Sequence, residues 1–251
     1  CSATNPSATI SVQTEKGGSL SFSKATDADN RVTALAVNDG SSYSVLTFSE
    51  DCYLHAISVT NRMDRVKTDN GYIQVAAGDA DAYLATLEKV NSDGGNARIF
   101  LPDGTYYLGE RVLTELTADN VSIIGESMLG TVIVNEPKTT KEGIALTATL
   151  LNKSNGLYMQ DLTLQNALDY YGNKGTSGGG RAICLQDKGT NTICKNVRML
   201  SYQDTYYSNN TGNFYFEDSE IHGTVDYLCG DGNVVYNRVK LVNENRTASD
   251  A

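Results

Sequence analysis

The hydrophobic and polar positions fall into a phrase that recurs along the carboxy-terminal half of the chain. Four segments superpose: Leu157–Leu164, Thr192–Met199, Phe214–Ile221 and Val234–Leu241. Each alternates apolar with polar, reaches a polar corner (Asp161, Asn196, Asp218 or Arg238), then alternates again, the signature of two half-buried strands joined by a bend. The corners lie 35, 22 and 20 residues apart. The long interval contains Asp169–Gly180, five of whose twelve residues are glycine, which reads as an inserted loop. A period near 21 with two strands and a bend fits one coil of a parallel β-helix. The fixed leucine pattern of a leucine-rich repeat is absent, and a β-sandwich is the competing architecture.

Upstream the pattern changes twice. Asp79 is placed to cap a helix running to about Asn91, with Tyr83, Leu84, Leu87 and Val90 on one face and Gly94-Gly95 ending it. A strand at Tyr72–Ala76 precedes it; Arg98–Leu101 and Thr105–Leu108 follow, joined by Pro102-Asp103-Gly104. Residues 1–70 read as a small β-rich segment or accessory domain, with strands at Ala8–Val12, Ser19–Ser23, Val32–Val37, Tyr43–Phe48 and Tyr53–Val59. Residues 71–251 form the β-helix domain, opened by the helix as a cap.

Composition agrees with a β-rich chain of many turns: 23 Gly and 15 Tyr against 3 Pro and no Trp in 251 residues. The formal net charge is −10 and no basic run occurs. That argues against nucleic acid as partner and against docking on an anionic membrane surface. No apolar run is long enough for a transmembrane helix. Cys1, followed by a polar stretch, is what remains after a bacterial lipoprotein signal is removed, so a lipid anchor at Cys1 and a secreted or cell-surface location are expected. The remaining cysteines, Cys52, Cys184, Cys194 and Cys229, match no metal or redox spacing and read as small apolar residues, a Cys184–Cys194 bridge staying undecided. No metal or other cofactor is implied, and a monomer is expected.

Chemistry enters through coil spacing. Arg181 precedes Asp204 by 23 residues and Asp204 precedes Asp226 by 22. Residues one coil apart stack at roughly 4.8 Å, so a column of cation, carboxylate and carboxylate is expected. Two carboxyls that close cannot both ionise freely, so one stays an acid while its neighbour acts as base or nucleophile. His222 reads as a hydrogen-bonded structural residue, His55 has no visible partner, and Glu110 reads as surface.

The surrounding residues add specificity. Ser201–Tyr207 (SYQDTYY) and Gly223–Gly230 (GTVDYLCG) resemble the two central signatures of pectin methylesterases, roughly GYQDTLY and GTVDFIFG. Gly104-Thr105-Tyr106, Val121–Glu126 (VSIIGE) and Asp161–Ala167 (DLTLQNA) are similar to further segments of that family, so the resemblance runs from about Tyr72 to the end. It implies a right-handed parallel β-helix and hydrolysis of the methyl esters of pectin, releasing methanol and pectate. It implies Asp226 as nucleophile, Asp204 as general acid and then base, and Gln203 as an oxyanion donor. Tyr207 would contact sugar, with Tyr202, Tyr206 and Tyr227 as further substrate-binding candidates.

The sequence also departs from the family. Arg181, in Arg181–Leu185 (RAICL), stands where the family has a glutamine, and could donate to the oxyanion while adding charge. Cys229 replaces an aromatic residue. The family's arginine that pairs with the nucleophile would fall beyond Ala251, so the β-helix domain is expected to be incomplete at its carboxy terminus. The alternatives are another pectin-active β-helix enzyme (polygalacturonase or pectate lyase) and a non-catalytic pectin-binding β-helix at the surface.

Overall fold

The computed structural model describes residues 2–3, 9–14, 19–23, 44–48, 52–53, 71–110, 114–138, 144–176, 179–208 and 211–247. The chain divides into two compact units, Cys1–Asn61 and Arg62–Ala251. In the first, Ser19–Ser23, Thr9–Thr14 and Ser44–Phe48 form a three-stranded antiparallel sheet, and Ser2–Ala3 pairs with Cys52–Tyr53. The strand expected at Val32–Val37, together with His55 and Cys1, lies outside the described residues.

The second unit is a coil of parallel strands arranged in three walls. The first wall stacks Ile73–Gln74, Arg98–Leu101, Ser122–Gly125, the first half of Leu157–Asn166, the first half of Asn191–Leu200, Asn213–Glu217 and Asn233–Asn237. The second takes Gly104–Tyr107, Thr131–Asn135, the later halves of the two long strands, Glu220–Gly223 and Lys240–Asn243. Glu115–Leu116, Leu150–Asn152, Leu185–Asp187, Tyr206–Ser208 and Leu228–Gly230 make the third. This is the parallel β-helix the repeat predicts, with one strand per coil more than the repeat showed.

The register follows the sequence alignment of the repeats residue by residue: Leu157 pairs Thr192, Thr192 pairs Phe214, and Phe214 pairs Val234. All four polar corners adopt the left-handed conformation, with φ of 55° at Asp161, 52° at Asn196, 50° at Asp218 and 53° at Arg238. Short polar side chains tolerate that backbone because they can bond locally. Here they also bond along the stack: Asn196 Nδ2 donates to Asp161 Oδ1 at 2.6 Å. Arg238 has no such tolerance of its own, and is clamped instead by Asp218 Oδ1 at 2.6 Å and Glu217 Oε1 at 2.6 Å.

Inward-facing positions fill one continuous core, including Ile99, Ile123, Met159, Phe216, Leu185 and Tyr206. Helix Ala80–Asp93 covers it at the first coils. Asp79 accepts from Ala82 N at 2.9 Å, Gly94 closes the helix at φ 86°, and Tyr83, Leu87 and Val90 join the core. Tyr83 meets Tyr106 edge to face at 6.1 Å, a contact worth about 1 kcal/mol beyond its burial. Cys184 and Cys194 are buried free thiols. Cys184 donates to Leu200 O at 3.2 Å, whereas Cys194 lies on the first wall between Met159 and Phe216.

Candidate active site

Asp204 and Asp226 each stand two residues before a third-wall strand, at the bend leading in from the second wall. Both backbones are left-handed, φ 60° and 48°, as at the corners described above. A non-glycine residue held there by its surroundings is frequent at functional positions. Paired bridges join Arg181 to Gln203 and Gln203 to Val225, and Asp204 N donates to Val225 O at 3.1 Å. The two aspartates therefore occupy one column, a strand spacing of about 4.8 Å apart along the coil axis.

Arg181 is not in that column. It stands opposite Gln203, while Ala182 occupies the row of the aspartates. The 23-residue interval from Arg181 to Asp204 is one longer than the 22-residue coil, so the expected vertical triad is staggered by one position. Its charge nevertheless reaches Asp204.

The two carboxyls differ in setting. Asp204 is 7% exposed, and Asp226 is exposed. Burial drives the Asp204 carboxyl up to about 6, assisted by the charge of Asp226 and opposed by Arg181 and by a hydrogen bond from Gln203. Cys229 faces the same pair. Burial first, and then the charges of Asp204 and Asp226, push its thiol up to about 12, and Cys229 Sγ donates to Tyr206 O at 3.8 Å.

Gly223, which opens the second signature, is required by close approach. A Cβ there would lie 2.2 Å from Tyr227 Cβ and 2.8 Å from both Thr205 Oγ1 and Tyr202 O. Thr205 in turn donates to His222 O at 2.7 Å. The SYQDTYY and GTVDYLCG segments are thus packed closely and joined by backbone hydrogen bonds from Asp204 N to Val225 O and Tyr206 N to Tyr227 O, which fixes the aspartates relative to each other.

The four tyrosines separate. Tyr207 is half-buried on the outward row of the third wall, between Gln186 and Cys229. Tyr206, the next residue along a strand, faces inward. It is 1% exposed and packed on Phe216 at 4.8 Å and Phe214 at 6.4 Å, so it is a core residue and not a substrate contact. Tyr227 is partly buried against the core. Tyr202 stacks on Tyr170. Tyr170, 3% exposed, comes from the inserted loop, where Asp169 caps the short helix Tyr170–Asn173.

His222 is 6% exposed, its Nε2 2.5 Å from Glu220 Oε1 and its Nδ1 2.6 Å from Glu244 Oε1. Its ring is engaged by these two glutamates. Glu110 pairs with Lys138 at the surface. Among the described residues no three His, Cys, Asp or Glu side chains converge as a metal-binding set.

The fold and the site together define a three-walled parallel β-helix protein with two carboxyls stacked outside one bend. The profile of the pectinesterase family matches residues 74–251, and the chain belongs to that family. It is 29% identical to pectinesterase 2.1 of Solanum lycopersicum over 188 residues, covering 72% of this chain and 32% of the tomato protein. Pectinesterase B of Dickeya dadantii is 32% identical over 117 residues, 41% of this chain and 26% of that protein. Across such curated relatives the chain spans between about a quarter and two fifths of their length. Among solved structures, the pectin methylesterase PemA of Erwinia chrysanthemi superposes with a TM-score of 0.58 at 26% identity, covering 70% of this chain and 57% of that one. A pectin methylesterase in complex with a hexasaccharide superposes with a TM-score of 0.53 at 28% identity, covering 60% and 47%. No helix among the described residues is long and apolar enough to cross a membrane.

Proposed function

We propose that this protein hydrolyses the methyl esters of pectin, with Asp226 as nucleophile and Asp204 as general acid and base. The stacked aspartates in unlike environments carry the reading: one carboxyl is buried and held up to about 6, and its neighbour is exposed. Unlike settings are what let two carboxyls take opposite roles.

Asp226 carboxylate attacks the ester carbonyl carbon, and the carbonyl electrons move onto oxygen. In this proposal Gln203 and Arg181, on the adjacent row, donate to that oxyanion. Collapse breaks the bond to methoxide, which leaves as methanol with the proton of Asp204. The product is an acyl anhydride on Asp226. Asp204, now a carboxylate, takes a proton from water as that water attacks the acyl carbon, and collapse frees the uronic acid, which loses its proton to solvent, and restores both side chains. Tyr207 is the sugar contact this reading retains, with Tyr227 as a second candidate. A secreted or surface location, the lipid at Cys1 and a monomeric state belong to the same proposal.

The discriminating assay is incubation with highly methylated pectin, following methanol, reducing ends and unsaturated products together. Methanol alone is the expected result. New reducing ends identify a glycoside hydrolase, unsaturated ends a lyase, and binding with no product the non-catalytic alternative.

A further inference from the structure

The inserted loop carries an aromatic cluster that the mechanism above leaves unused. Tyr170 and Tyr202 lie parallel, 5.0 Å apart with 4° between planes, and Tyr171 meets both edge-on at 5.4 Å. Tyr170 is buried, yet it stands apart from the continuous core of the β-helix.

Two of its contacts lead to the site. Tyr202 immediately precedes Gln203. Gly180 immediately precedes Arg181, and a Cβ on Gly180 would come within 2.3 Å of Tyr170 Cδ2 and 2.7 Å of Cε2. One ring therefore touches the residue before each of the two donors on the row beside Asp204. The donors themselves face each other across a backbone bridge. The far side of the loop is also tied down: Tyr171 Oη donates to Asn245 O at 3.0 Å and Lys174 Nζ to Arg246 O at 2.6 Å.

We propose that Tyr170 and Tyr202 are positioning residues, the stack holding Gln203 and Arg181 in place on the row beside the reacting carboxyl. The proposal rests on the reading of this site as an ester-hydrolysis centre, and its test separates the two. Asp204 feels Arg181 from the preceding coil, Asp226 from the following one and Gln203 beside it in the chain, while Cys229 in turn feels both aspartates. Arg181 and Gln203 both hold its carboxyl down, so loosening them must move its titration upward.

The experiment compares wild type with Tyr170→Ala and Tyr170→Phe, reading the Asp204 carboxyl by carbon NMR titration, kcat and KM for methanol release, and Tm. In Tyr170→Ala the Asp204 midpoint rises and kcat falls about tenfold or more, since small misplacements at a reacting centre are costly, while KM changes little. Tyr170→Phe, which keeps the ring, restores both. An Asp204 midpoint unmoved in Tyr170→Ala overturns the proposal, whatever the change in Tm. If Tyr170→Ala does not fold, Tyr202→Leu is read by the same titration with the same two outcomes. A wild type that releases no methanol sinks the functional reading, and the titration still decides the positioning role.

Discussion

At the scale of the residue, the buried aspartate has a thermodynamic signature. A carboxyl raised from 3.8 to about 6 on folding binds more protons folded than unfolded across that interval. Its effect is therefore the reverse of a salt-bridged aspartate: stability falls as pH rises from about 4 to about 6 and stays lowered above. Asp204→Asn removes that cost and keeps a side chain tolerant of φ 60°. Near neutral pH the variant should be more stable by about 1–2 kcal/mol after allowance for screening, with methanol release lost. Thermal melts at about pH 7 and pH 4 check it: the gain is expected at the higher pH and should vanish at the lower. A variant no more stable than wild type at either pH would contradict the buried setting of the carboxyl.

At the scale of the element, the bends were more legible than the strands. Asp161, Asn196, Asp218 and Arg238 stood out because polar residues interrupt an apolar alternation, and each is a left-handed corner. The third wall was not legible. Its strands, such as Leu185–Asp187 and Tyr206–Ser208, are three residues long, too short for an alternation to register. That is also why Tyr206 could be mistaken for a surface residue: without the wall, its inward direction is undefined. The one-residue stagger of Arg181 had the same origin, because coil length was read as an approximate period and register is an integer.

The second wall ends in a charge cluster with its own pH dependence. Burial opposes protonation of His222, but hydrogen bonds to Glu220 and Glu244 outweigh it and raise the imidazole above 6.5. Glu220 is held down to about 2, first by His222, against burial, with Lys240 assisting. The imidazole contribution is complete below 6.5 and is lost as pH rises through the raised value. The Glu220 contribution is present above 4.5 and is lost as pH falls towards 2. Both are present between 4.5 and 6.5. His222→Gln should therefore cost most stability inside that window and progressively less on the alkaline side. A constant difference across the whole range would mean that packing, not charge, is what His222 contributes.

At the scale of the whole molecule, the sequence reached the fold through repetition and the site through two short signatures. Coil length linked them, since 22 residues separate both the aspartates and the middle pair of corners. What stayed hidden was tertiary: which tyrosines face inward, the packing of Gly223 against the neighbouring strand, and the seating of the inserted loop beside Gln203. None of these leaves a periodic trace. The central claim is that the stacked aspartates are the ester-cleaving pair, and Asp226→Asn tests it most directly, because asparagine preserves shape and tolerates φ 48° while removing the nucleophile. With highly methylated pectin, methanol release should fall by about a thousandfold or more relative to wild type, with the melting temperature little changed. A folded Asp226→Asn protein that releases methanol at a rate near that of wild type would contradict the account.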